Sequence, residues 1–195
     1  MDVPTVWAEC LVNSTEAQLV LRPGILKRFL LSFSGRSNVL KIEIIHLPFC
    51  LLHYQVEGSK SQKGISILVD GYRRAARHMK EEELSLTHRP DGVEEFPYPL
   101  GREETVQVAR TYLSSLRMAR TFSASVIFGR EPAIKHIIQY PFYVVYRRAG
   151  GCSVKFGMVD GLTGKRGGTL ANQAFLSALY EGKTQLSLNR NHQDK

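Results

Sequence analysis

Ile137-Ile138-Gln139-Tyr140-Pro141-Phe142 restates, with two changes, an earlier stretch of the same chain, Ile44-Ile45-His46-Leu47-Pro48-Phe49. The likeness extends beyond both. Each stretch leads through an apolar run and a loop to a second apolar run that ends in Asp-Gly, at Val69-Asp70-Gly71 and at Val159-Asp160-Gly161. A Gly-Arg pair precedes each, at Gly35-Arg36 and Gly129-Arg130. Such collinear recurrence predicts a tandem duplication of a helix–strand–strand–helix unit and a pseudo-symmetric molecule. One detail runs against it. With the Asp-Gly pairs aligned, Val154, Phe156 and Met158 fall one step out of phase with Ile65, Ile67 and Val69. Side chains alternate with period two along a strand, so that slip predicts a bulge.

Around the first stretch, residues 39–56 are rich in β-branched and aromatic side chains and read as strand. Pro48 is expected to divide them, because proline donates nothing to a sheet ladder. A polar loop then joins residues 65–69 as a β-hairpin. Tyr72, Ala75, Ala76 and Met79 recur at three- and four-residue spacing, which predicts a short helix. Upstream, Asn13-Ser14-Thr15-Glu16 is a helix start, Pro23-Gly24 interrupts that helix, and Ile25, Leu26, Phe29 and Leu30 have helical spacing. In the second half a helix is predicted over 103–120, with Val106, Ala109, Leu113 and Leu116 as its apolar stripe. A short strand at 125–128 comes next. Residues 141–146 and 152–159 form a hairpin through Ala149-Gly150-Gly151. Thr169 caps a last helix, whose apolar face is Leu170, Ala174, Phe175, Ala178 and Leu179 and which Gly182 ends. The expected organisation is a first repeat at 10–80, a linker at 81–101 rich in acids and prolines, a second repeat at 102–182 and a flexible tail at 183–195. Helices beside antiparallel hairpins make the fold class α+β.

The chain has 195 residues and a formal charge of +8. The excess of positive charge favours anionic partners. The cations are dispersed, however, and the densest group, Arg73, Arg74, Arg77, His78 and Lys80, runs straight into Glu81, Glu82 and Glu83. Cys10, Cys50 and Cys152 have no paired spacing, which excludes a Cys-x-x-Cys zinc site. No apolar run is long enough to span a bilayer and no export signal is read, so a cytoplasmic location is expected.

Tyr140-Pro141-Phe142-Tyr143-Val144-Val145-Tyr146, the strand after it and Asp160-Gly161-Leu162-Thr163-Gly164-Lys165 resemble the strand–strand–DGxTGK element of PepSY-like domains. They are also similar to the Tyr-x-Pro-Phe strand of bacterial zinc-ribbon-associated proteins of unknown function. The resemblance covers residues 131–168. It implies a helix packed on a curved antiparallel sheet, with the Asp-Gly turn leaving a strand, and it brings no catalytic residues. The first half lacks the Thr-Gly-Lys after Asp70-Gly71, and the zinc-ribbon cysteines are missing.

The glycines before the last helix do not make a phosphate loop, since residue 159 is valine where glycine is required and Arg166 stands where a hydroxyl is needed. A weaker anion site survives on the backbone of Gly167 and Gly168, with Lys165 or Arg166 nearby. The histidines, His46, His53, His78, His88, His136 and His192, show no metal-ligand spacing; no metal and no cofactor is implied. His46 and His53, an odd number apart, are expected on opposite strand faces. Asp70 and Asp160 form a candidate carboxylate pair across the pseudo-symmetric interface, which an enzyme would use for acid–base work. Against this, Asp-Gly is ordinary turn chemistry, and no serine elbow or catalytic cysteine is present. Tyr140, Phe142 and Tyr146 share one strand face beside Arg147-Arg148, as in sheets that stack nucleic-acid bases. The reading is therefore a non-catalytic binding module for a protein segment or small ligand, held on the sheet or in the groove between repeats. Its candidate ligand-binding residues are Tyr140, Phe142, Tyr146, Asp70 and Asp160. Its candidate anion contacts are Arg73, Arg74, Arg77, Arg147, Arg148, Lys165, Arg166, Gly167 and Gly168. A nucleic-acid protein using the basic, aromatic sheet face is the first alternative, with weak, salt-sensitive binding expected, and an Asp70/Asp160 enzyme is the second.

Overall fold

Two long strands, β2 (Val39–Glu57) and β7 (Ala133–Ala149), pair antiparallel and form the spine of a mixed, mostly antiparallel sheet. The computed structural model describes residues 3–21, 39–57, 64–90, 93, 95–119, 127–128, 131–149 and 153–193. The remaining elements are β1 (Thr5–Ala8), α1 (Ser14–Val20), β3 (Gly64–Asp70), β4 (Ala75–Met79), β5 (Leu86–Thr87), α2 (Arg102–Met118), β6 (Ile127–Phe128), β8 (Ser153–Asp160) and α3 (Thr169–Gln193). β3 pairs with β2 and β4 with β3, while β8 and β1 both pair with β7, β1 in parallel. The fold is α+β, as the sequence predicts. Expectations at Pro23-Gly24, residues 25–30, Gly35-Arg36, Gly129-Arg130, Gly150-Gly151 and Cys152 lie outside the described residues.

The two hairpins share a register. Pro48 faces Gln139 and Pro141 faces His46, so the central β2–β7 ladder, from Glu43 to Leu51, is unchanged when the strands are exchanged about the pair Leu47 and Tyr140; the register shifts nearer the ends do not follow this exchange. Phe49, next after one proline, faces Asp70; Phe142, next after the other, faces Asp160. No bulge is needed. Leu68 and Met158, two residues before each Asp, turn to the α3 face, and Val69 and Val159 to the other. The apparent slip arises because β3 is buried on both faces and shows no alternation to read.

Proline does not divide β2. The Pro141 carbonyl accepts the Gly161 N–H at 2.9 Å, on the β8 side. A residue's N–H and C=O point to the same edge of a strand, so its missing donor takes nothing from the β2 ladder. Pairing of β3 likewise begins one residue after Pro48.

Among the described residues three α-helices cover the sheet. Ala17 of α1 and Leu21 beyond it pack on Tyr143, Val145 and Val159 of the second hairpin. Ala109 and Leu113 of α2 pack on Cys50, Leu52, Tyr54, Ile65, Ile67 and Val69 of the first. Each helix thus lies over the hairpin that the other one precedes. Ala174, Phe175 and Ala178 of α3 close the opposite face over Phe49, Tyr140, Phe142, Val144 and Met158. Burying one such leucine or phenylalanine contributes roughly 1.5–3 kcal/mol.

Three expectations are corrected. Residues 72–79 are a turn and a strand, not a helix: Ala75, Arg77 and Met79 face one way and Ala76 and His78 the other, because pairing with β3 overrides the helical spacing of so short a window. The segment 81–101 is no free linker. It supplies β5, buries Phe96 and Leu100, and is tied by Tyr72 Oη to the Pro97 carbonyl at 2.9 Å. Gly182 does not end α3, which continues to Gln193; interior glycine costs only about 1 kcal/mol, and the Lys, Gln, Leu and Arg beyond it are good helix formers. The backbone of 183–193 is accordingly helical, not a flexible tail. β1, parallel to β7, has no sequence expectation behind it.

Candidate functional site

Both Asp-Gly turns open onto one groove of about 640 Å³ between β3, β4 and the start of α3. Its floor is Leu47, Phe49, Leu68 and Phe142, and its rim carries Asp70, Arg73, Arg77, Asp160, Thr163, Lys165 and Thr169. Phe49 and Phe142, each next after one of the two prolines, lie stacked at 6.3 Å with 29° between their planes.

The carboxylates are held alike. Asp160 Oδ1 accepts the N–H groups of Leu162 at 3.0 Å and Thr163 at 2.9 Å. Asp70 Oδ1 accepts the N–H of Arg73 at 3.1 Å. Four residues after each Asp the backbone takes a positive φ, 67° at Gly164 and 50° at Arg74, so the first turn has the shape of the second despite lacking its Thr-Gly-Lys. Close packing demands the glycine that pairs with Asp160: a Cβ on Gly161 would lie 2.9 Å from the Pro141 carbonyl oxygen. Beyond the turns the two halves diverge. In the first half β4 runs on; in the second the matching ladder stops at the Val159–Arg166 bridge and Gly167-Gly168 turns the chain into α3.

That difference makes the groove lopsided. Arg77, on β4, reaches across to the second half. Its Nη1 lies 3.5 Å from Asp160 Oδ2 and its guanidinium sits 4.7 Å from the Tyr140 ring centre and 5.8 Å from that of Phe49. Tyr140 Oη donates to both Asp160 oxygens at 2.9 Å, and burial, joined by the Asp160 charge, pushes the phenol pKa up. Among the described residues Asp70 has no such neighbour from the other half; its ion pair is with Arg73 of its own turn, at 3.8 Å. Burial raises its pKa, against the lowering effect of the Arg73 N–H and charge.

Of the sequence candidates, the structure brings Asp70, Asp160, Arg73, Arg77, Phe142, Lys165, Arg166, Gly167 and Gly168 to this groove. Arg166 contributes backbone. It pairs with Val159, whose side chain faces α1, so its charge points to that side, where it joins burial in lowering the pKa of Arg147. Tyr140 is core, fully buried beneath Arg77. Tyr146 lies outside the groove, half-buried and donating to Glu43. Arg74 pairs with Glu104 of α2 at 3.0 Å, and Arg148 is exposed on β7. The aromatic face that suggests a base-stacking platform is therefore interior under α3. The histidines separate as expected, His46 against the Trp7 ring at 4.8 Å and His53 with Ser66 Oγ at 3.1 Å. The floor residues Leu47 and Phe49 are not among the sequence candidates; the repeat itself marks Phe49, as the counterpart of Phe142. Among the described residues no cluster of metal-ligating side chains occurs.

No family model matches the chain, and no curated protein or solved structure matches it either.

Proposed function

We propose that this protein is a non-catalytic binding module that holds a protein segment or a small ligand in the groove between its two Asp-Gly turns. The carrying observation is the groove: about 640 Å³, apolar below and polar at the rim, within the usual size of ligand sites. The use of both carboxylates inside the fold supports binding over catalysis. Asp160 accepts from a tyrosine and two turn amides and faces an arginine, and Asp70 caps its own turn, so neither is set out for proton transfer to a bound substrate. Burial of Tyr140 and Phe142 removes the main support for a nucleic-acid reading. The test is a fragment screen monitored by two-dimensional NMR. Hits that shift Phe49, Phe142 and Gly167 together are expected; a screen whose hits all map elsewhere sinks the reading.

Descent from a duplicated helix–strand–strand unit is part of the same proposal, supported by the shared register, the matched turns and the crossed helices. So is kinship of residues 131–168 with PepSY-like domains, supported by the strand–turn pattern alone.

A further inference from the structure

We infer that the groove selects a ligand with a single carboxylate on an apolar body, its anion at the Arg77–Lys165 end and its body over Phe142 and Leu47. This rests on the groove being the binding site. The two ends of the groove differ in charge because the pseudo-symmetry is broken at named positions. At the Asp160 end, Arg77 arrives from β4 and Lys165 stands on the turn, two cations against one carboxylate. At the Asp70 end, Asp70 is ion-paired to Arg73 of its own turn and also feels the Arg77 charge, and the places matching Arg77 and Lys165 are Gly167 and Ala75. The surplus positive charge of the groove is thus greatest at the Asp160 end, where Lys165 stands and Arg77 makes its ion pair. Asp160 does not absorb it: its oxygens are already engaged by Tyr140, Leu162 and Thr163, and Arg77 approaches only to 3.5 Å. Among the described residues Lys165 has no ion-pair partner, and its side chain is exposed. A carboxylate there gains charge-assisted hydrogen bonds that an uncharged group cannot supply. Between the ends the floor offers aromatic and aliphatic carbon, which an ion alone would leave uncovered.

Three probes of one shape decide the matter: 3-phenylpropionate, 3-phenylpropionamide and 3-phenylpropylamine, titrated by NMR and calorimetry. The carboxylate is expected to bind at least tenfold tighter than either partner and to shift Gly167, Thr169 and Phe142. Lys165→Gln, at an exposed position that does not threaten folding, and Arg77→Gln should each bring the carboxylate down toward the amide. A phenylalanine C-terminus offers the same chemistry, so a short peptide ending in it, with free or amidated terminus, distinguishes a protein source from a small-molecule one. Binding of the amide or amine in the groove as tightly as the acid would overturn the inference and leave the groove standing. Failure of all three to move groove residues would also overturn it, and the fragment screen then says whether the groove reading falls too.

Discussion

Asp70 and Asp160 look interchangeable in the sequence and are not so in the fold. Asp160 anchors a buried tyrosine, two turn amides and an arginine from the other half, whereas Asp70 caps one turn beside its own arginine. Asp160→Asn should therefore cost about 1–3 kcal/mol, and Asp70→Asn clearly less, in urea unfolding monitored by circular dichroism. Equal losses would mean that the matched turns, not the bonds across the groove, set the cost. His46 makes a second residue-scale prediction. Burial lowers its pKa to about 4, below the ordinary value of 6.5. Between those values the unfolded chain binds the extra proton, so His46 contributes stability that is complete above pH 6.5 and lost as pH falls toward 4, roughly 3 kcal/mol in all. Asp70 acts in the opposite sense, since its raised pKa lets the fold take up a proton before the unfolded chain does. Unfolding midpoints at pH 7.5 and 5 should differ in the wild type and converge in His46→Leu. A difference that persisted would assign the pH dependence elsewhere.

At the scale of elements, a segment is legible in the sequence where its own period and turn residues decide its state. The hairpins, α2 and the apolar face of α3 follow from period and turn chemistry. β4 is not legible, because only β3, across the Asp70 turn, tells Ala75–Met79 to extend. β1 is hidden because a four-residue strand carries little pattern and its partner, β7, lies far along the chain. The groove residues are readable only in pieces: their chemistry is visible at each turn, while their convergence depends on the β2–β7 register. The turns offer a direct test of the shared geometry. Gly164→Ala places a Cβ at φ 67° and should cost about 1–2 kcal/mol. Arg74→Gly relieves φ 50° and gives up only an exposed ion pair with Glu104, so thermal unfolding should show no loss beyond about 1 kcal/mol. A large loss at Arg74 would mean that its side chain, not its backbone, shapes the first turn.

For the whole molecule the organising contact is β2 against β7, which fuses the proposed repeats into one sheet and sets their turns on a common groove. The expected boundary at 81–101 fails because Phe96 and Leu100 are interior and the Gln139 side chain donates to the Phe96 carbonyl at 3.2 Å. Truncating Leu113 to Ala, on a helix drawn from the second half, should destabilise the first hairpin by about 2–5 kcal/mol. Hydrogen exchange should show protection falling in β3 as much as in β7. Loss confined to the second half would contradict the exchange of helices.

That exchange bears on synthesis. A ribosome delivers α1 and the first hairpin well before α2, yet α1 rests on strands not yet made and β3 waits for a helix from the second half. The nascent chain must hold an uncovered apolar hairpin until residue 118 and beyond has emerged. The same dependence makes the halves obligate partners even when they are made apart. Residues 1–90 and 91–195, expressed as separate chains, should each be insoluble alone and recover the native circular-dichroism spectrum when refolded together.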